Sequence, residues 1–413
     1  MRRIIASLDV GSNNLKLVVG EIFKKKLNVL AAVDVPSRGI KKGYVINPES
    51  ATEAIKELFD KAEHIIGLKV TKVIVNVPAY NTDCFINEGE IAIKREDKAI
   101  NSSDIAQCMN NATKDVISPN LVLVSVVPTV FKVNGDVTKN PLNMVSDKLA
   151  GKFVVVTVPK KNINGIGYCL QKLGIEVVDI CIPPLADYYG FKQDSYNKEV
   201  GAIVNIGDAI TTVSIFNKGV LTACDVIEMG GMNIDNDLAY VYKLTKSEAR
   251  MVKEKLALAH DRMAQPNESM ILTDRNGESV KINQYNVSEI VKSRLDEMLN
   301  LIKKQINLLT KKEISYIIIS GGLTELKDFD LILEEVCGPS AIIKNVNEIG
   351  ARDNKYSVAV GAIKYYNQRL NLKNKDFSIF SLDDQEELSG LVKKTNLSEG
   401  SLLGKLFGYF FDN

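Results

Sequence analysis

Residues 205–216 read NIGDAITTVSIF. Ile206, Val213 and Ile215 supply the apolar alternation of strands, and Gly207 marks a turn between them. A phosphate-cradling turn needs glycines and a small hydroxyl so that backbone amides can approach the anion. At those places this stretch has Asp208, Ala209 and Ile210. It has the frame of a phosphate hairpin without the residues that bind phosphate.

The same frame occurs earlier. DVGSNNLKLVVGE (9–21) can be laid on the second stretch, so that Asp9 falls on Asn205, Gly11 on Gly207, Leu17 on Val213 and Val19 on Ile215. Each copy follows an apolar strand and leads into another, which suggests two related α/β halves. On these columns alone, a chance match of two hairpins is an equal reading. Two glycine pairs tilt the balance. EMGGMNIDNDLAYVY (228–242) runs from a strand end into a helix, with Asn233 or Asp235 able to cap it. YIIISGGLTELKDFDLILEEV (316–336) is an apolar strand, then Gly321–Gly322, then a helical pattern. A buried strand, two glycines and a helix bring bare amides and a positive helix end to a ligand. Such turns also serve as plain βα connections.

The 413 residues exceed one compact core and imply several domains. The net charge of +1 gives no global attraction to nucleic acid, and none is expected as a partner. Six scattered cysteines without a C-x-x-C pair read as buried reduced thiols. Only His64 and His260 are present, in helix-like segments, which disfavours a histidine triad or His-rich metal site. The opening MRRIIASLDV runs straight into a strand and no stretch is apolar enough to span a bilayer, so the expectation is a cytoplasmic protein.

Two D-x-G-like hairpins followed by a strand–GG turn resemble the phosphate and adenosine motifs of the actin, Hsp70 and sugar-kinase superfamily. Within it, SLDVGSNNLKLVVGE, VIEMGGMNIDNDLA, SEARMVKEKLALA and IIISGGLTEL fall in the order and spacing of FtsA, the bacterial actin-like family that ties the division ring to the membrane. Residues 83–162 resemble the family's inserted 1C domain, and PLADYYG resembles its Pro-Leu-Ala-Ser stretch. The resemblance covers residues 1–370. It implies an α/β, actin-like duplicated two-domain fold with a cleft between halves. The first half (1A) takes 1–82 and 163–199, the inserted domain 83–162, the second half (2A) 200–232 and 316–370, and a 2B subdomain 233–315.

The resemblance also implies ATP and Mg²⁺ in the cleft. Asp9 would hold a hydrated Mg²⁺ through water, and Gly11, Ser12, Asn13, Asn14 and Lys16 would meet phosphate. On the other side stand Asn205 and Gly207, with Gly230, Gly231, Gly321, Gly322 and Lys253 around ribose and adenine. Several departures from the family pattern fall together. Asn205 stands in place of aspartate, Asp208 and Ala209 in place of glycines, Ile210 in place of Ser or Thr, and Arg250 in place of a glutamate. An unpaired Asp208 about 4 Å from phosphate would cost about 4 kcal/mol at an effective dielectric near 20. The expectation is weak or absent ATPase and no catalytic residue.

Residues 371–399 are polar and mixed in charge, which reads as a flexible linker. In 400–413, Leu402, Leu403, Leu406, Phe407, Phe410 and Phe411 share one helical arc, as an interfacial membrane anchor would have them. The family resemblance implies membrane lipids, the C-terminal peptide of FtsZ and further copies of the chain as partners. It implies a place on the cytoplasmic face of the cell membrane at the division site. Arg294 and Glu297, on the amphipathic stretch 285–309, match the family's peptide-binding pair, and an exposed ion pair within one helix is an equal reading. The alternatives are another actin-like scaffold, such as a pilus-assembly protein, or a superfamily kinase. A kinase would need a general-base carboxylate and an intact second hairpin, and neither is identifiable.

Overall fold

The computed structural model describes residues 2–114, 116–372, 376–385 and 388. The tail 400–413, with Leu402, Leu403, Leu406, Phe407, Phe410 and Phe411, lies outside the described residues. The α-helices used below are α1 (Pro48–Ile66), α2 (Ser102–Asn111), α3 (Lys161–Lys172), α4 (Pro183–Phe191), α5 (Gly231–Val241), α6 (Lys246–Leu256), α7 (Gln284–Leu309), α8 (Phe329–Cys337) and α9 (Ser357–Leu372).

Two five-stranded sheets share one topology. The first runs Glu176–Cys181, Lys72–Asn76, Arg3–Val10, Asn14–Phe23, Lys26–Pro36, and the second runs Ala341–Ile343, Tyr316–Ser320, Val200–Ile206, Thr211–Asn217, Val220–Ile227. In each, an antiparallel meander supplies three strands and two parallel strands extend it beyond the first. The register of the two hairpins is also the same. Asp9 faces Lys16 and Leu8 faces Leu17, while Asn205 faces Thr212 and Val204 faces Val213. A one-residue slip would have reversed every side chain, so equal register is strong support for the duplication read from the sequence. The leading strand Arg3–Val10 is buried at every position, as befits a central strand covered on both faces.

Between the halves of the first sheet, strands Asp83–Ala92, Lys148–Pro159, Leu121–Val133 and Asp136–Thr138 form an antiparallel four-stranded sheet. Asn101 opens α2 with a capping box, and the helix lies so close to this sheet that a Cβ on Gly89 would sit 2.2 Å from the Cys108 carbonyl oxygen. Ile91, Phe131, Phe153 and Cys108 form a separate small core here.

Two segments depart from the expected division of the chain. Helix α9, placed with the second half by sequence order, packs on α4 and on the first sheet. Small residues permit this. A Cβ on Gly361 would lie 2.0 Å from the Ala186 carbonyl oxygen, and one on Gly190 would lie 3.5 Å from the Gly361 Cα. Within the expected linker, residues 376–385 are docked. The Ile379 amide donates to the Ile4 carbonyl at 2.9 Å, Ile379 and Phe380 are buried, and Phe377 meets Tyr366 edge-on with ring centres 5.3 Å apart. Three apolar residues in a polar stretch suffice to hold it against the edge of the core.

Candidate functional site

The two hairpin turns face each other across a cavity of about 580 Å³ between the sheets. Asp9, Gly11, Ser12, Asn13, Asn14 and Lys16 line one side, and Asn205, Gly207, Gly231, Lys253, Gly321 and Gly322 line the other. Of the residues expected in this site, Gly230 alone does not line the cavity. It lies directly behind, where a Cβ would meet the Gly207 and Asp208 carbonyl oxygens at 2.5 Å each. Sequence periodicity placed these groups on separate strands and turns, and the shared topology of the sheets brings them together.

The first turn neutralises itself. Lys16 Nζ lies 3.0 Å from Asp9 Oδ2, and both side chains are largely buried. The Asn14 side-chain amide donates to Asp34 Oδ2 at 2.5 Å, and the Tyr356 hydroxyl donates to the other oxygen at 2.9 Å. Gly11 is needed because a Cβ there would lie 2.5 Å from the Asn14 carbonyl oxygen.

The second turn is wired differently. The Gly231 amide donates to the Gly207 carbonyl at 3.0 Å and the Met232 amide to the Asp208 carbonyl at 2.7 Å. Helix α5 begins earlier than the capping expected at Asn233 or Asp235: Gly230 is the N-cap, and Asn233 lies in the first turn, its side chain accepting from the Gly230 amide at 3.0 Å. These bonds commit the first amides of α5 to the protein itself. The Asp208 carboxylate accepts from Arg250 Nη2 at 2.7 Å, so it does not stand unpaired in the cleft. Burial pushes the Asp208 carboxyl up, and the Arg250 and Lys253 charges pull it back. Asp235 receives Arg250 Nε at 2.9 Å, and its other oxygen lies 2.5 Å from Lys253 Nζ. Lys253 also donates to the Gly231 carbonyl at 3.1 Å. Arg250 Nη1 donates to the Asn13 side-chain oxygen on the opposite turn.

At the floor, Asn205 points inward. Its Nδ2 donates to Asp187 Oδ2 at 2.7 Å, and Asp187 also accepts from the Ser320 hydroxyl at 3.2 Å and the Ser357 hydroxyl at 3.0 Å. Gly321, at φ 97°, passes so near that a Cβ would lie 2.8 Å from Asn205 Oδ1. Gly322 has open space on its free side. The helix expected after this pair begins later. Gly322–Glu325 is a single 3₁₀ turn, and α8 starts at Phe329. The second glycine pair therefore brings no long helix dipole to the cleft.

A cage of carboxylates for direct ligation of Mg²⁺ is not set up in this cleft, whereas an ion held through water by Asp9 and by phosphate oxygens needs no such cage. Asp9 is ion-paired to Lys16 and Asn205 offers an amide already given to Asp187. Among the described residues no group of three or more His, Cys, Asp or Glu side chains is placed to hold a metal ion. Sequence reasoning missed the Asp208–Arg250 pair and the role of Asp187. The available signal was that two departures from the family pattern, Asp208 and Arg250, carry opposite charges.

On α7, Arg294 and Glu297 form the ion pair that was one of the two readings of this pair, and Arg294 also grips Asp237 of α5 with Nε at 2.6 Å and Nη2 at 2.8 Å. His260 is buried and caps a 3₁₀ turn rather than riding on a helix, with Nε2 2.8 Å from Glu335. Among the described residues no helix is long and apolar enough to cross a membrane.

The model of the family "Cell division protein FtsA" matches residues 202–361, and that of the "SHS2 domain inserted in FTSA" matches residues 80–157. The FtsA protein of Bacillus subtilis is 28% identical over 366 residues, a span of 88% of this chain and 83% of that protein. Among solved structures, the PilM–PilN type IV pilus biogenesis complex superposes with a TM-score of 0.58 at 15% identity, covering 87% of this chain and 98% of that one. MreB5 of Spiroplasma citri bound to ADP gives 0.55 at 14% identity, covering 90% and 99%. These two likenesses establish an actin-like fold. With the second half and the inserted domain matched in order along one sequence, the chain belongs to the FtsA family of cell division proteins.

Proposed function

We propose that this chain is an actin-like adaptor that tethers FtsZ filaments to the cytoplasmic membrane during division and assembles with copies of itself. The observation that carries the reading is the pairing of an FtsA-type second half with the inserted SHS2 domain in one chain. FtsZ is recognised on the 233–315 subdomain, with Arg294 and Glu297 in contact with its C-terminal peptide. The terminal segment 400–413 binds lipid through its apolar arc. The cleft takes ATP weakly or not at all and turns it over slowly or not at all, because phosphoryl transfer depends on positioning and charge neutralisation that the second turn does not supply.

Flotation with liposomes tests the anchor. The full chain should float and a chain ending at residue 395 should not, and equal flotation of both would refute it. Fluorescence anisotropy with the FtsZ C-terminal peptide tests the partner, with saturable binding expected. A second reading, a pilus-type scaffold, draws on the PilM–PilN likeness. It predicts no binding of that peptide. ATP turnover at an ordinary ATPase rate would overturn the reading of the cleft.

A further inference from the structure

We infer that Arg250 is a resident clasp that joins the two halves across the cleft, doing with a side-chain cation what a metal-bound nucleotide would otherwise do. The inference rests on the reading of this cleft as a nucleotide site with an altered second turn, and concerns how that site is closed.

All three guanidinium nitrogens are engaged. Nε donates to Asp235 on α5, Nη2 to Asp208 on the second turn, and Nη1 to Asn13 on the first. The planar fork thus reaches three acceptors at once with one bond from each nitrogen, a spread that a lysine could not reproduce. Its anchor is fixed, because Asp235 is almost entirely buried and also bound by Lys253. Asn13 is exposed at the tip of its turn, so the clasp ends on the first hairpin, across the cleft from α6. A second link between the halves, the Lys42–Glu228 ion pair at 2.7 Å, is largely exposed on the glutamate side and so contributes little. Charge explains why the clasp takes this form. Asp208 would repel an anion, and Arg250 cancels it through Nη2 while Nη1 reaches the opposite turn. Closure by a protein cation needs neither metal nor nucleotide, because every group in the clasp belongs to the chain itself.

Hydrogen exchange by mass spectrometry on the full chain tests this, comparing amides of residues 9–16 and 205–212 alone, with ATP and Mg²⁺, and with ATP in EDTA. In the wild type, both hairpins should exchange at the same rate in all three. Arg250→Ala should speed exchange in both hairpins by about tenfold, and Asn13→Ala should do so in the same direction, while amides of α7 stay unchanged. Asn13 is exposed, so its variant keeps the test valid if Arg250→Ala does not fold. The clasp is overturned if neither variant changes exchange, if the rise is confined to the second hairpin, or if ATP with Mg²⁺ protects the wild-type hairpins strongly. Failure of the tethering reading is seen separately, in flotation and peptide binding.

Discussion

Asn205 and Asp187 meet at 2.7 Å on the floor of the cleft, an amide of the second sheet donating to a carboxylate of the helix that leads into it. Asp187 is fully buried, and burial pushes its carboxyl up to about 7 against the pull of its Asn205, Ser357 and Ser320 donors. The folded value lies above the ordinary 3.8, so the folded chain holds this proton more firmly than the unfolded one. The stability that the group contributes is therefore complete below the ordinary value and is lost as pH rises toward 7. Urea melts between pH 4.5 and about 8 should show unfolding free energy falling by order 1–4 kcal/mol from this site. Asp187→Asn should flatten the slope, and an unchanged slope would exclude Asp187 as its source.

Restoring the aspartate at position 205 alone should not restore a metal site. Asn205→Asp sets two carboxylates against each other in a buried contact, and one of them must stay protonated. We expect a loss of roughly 1–3 kcal/mol by denaturant unfolding. The double variant Asp187→Ser with Asn205→Asp should recover most of it, because the carboxylate is moved rather than added. Equal stability of the single variant and the wild type would contradict this.

Arg294 holds α7 to α5 through Asp237 as well as facing outward to Glu297. A double-mutant cycle between Arg294→Ala and Asp237→Ala should give a coupling of about 1 kcal/mol. A residue serving only a partner would show none in the isolated chain. Peptide affinity measured on the same variants then separates lost binding from lost support.

Gly361→Ala should destabilise the chain by roughly 1–3 kcal/mol or more, since its methyl would be driven into the Ala186 carbonyl, which cannot move without displacing α4. The midpoint in urea should fall with little change in slope. A neutral result would mean that α4 and α9 separate at low cost.

Much of this was legible in the sequence, because alternation and turn glycines are local. The two hairpins, their offset and the glycine pairs at 230–231 and 321–322 follow from short windows. The rest depends on contacts between distant segments. The opposite charges of Asp208 and Arg250 hint at their pairing, but nothing in the sequence signals that Arg250 also reaches Asn13, far away on the first turn. The return of α9 to the first sheet rests on glycines that read equally well as helix packing of any kind. The docking of 376–385 hangs on a few apolar side chains that a composition average hides.

The equal register of the two hairpins has a further consequence. Where the first has Lys16 opposite Asp9, the second has Thr212 opposite Asn205. One turn carries its own counter-ion, while the acidic turn at Asp208 must import one from α6. A displacement of α6, which packs on both α5 and α7, would therefore strip the second turn of its counter-ion, while the first turn loses only its Asn13 contact and keeps Lys16. The symmetry inherited from duplication is broken electrically, and the charge balance of the second turn is tied to the position of α6.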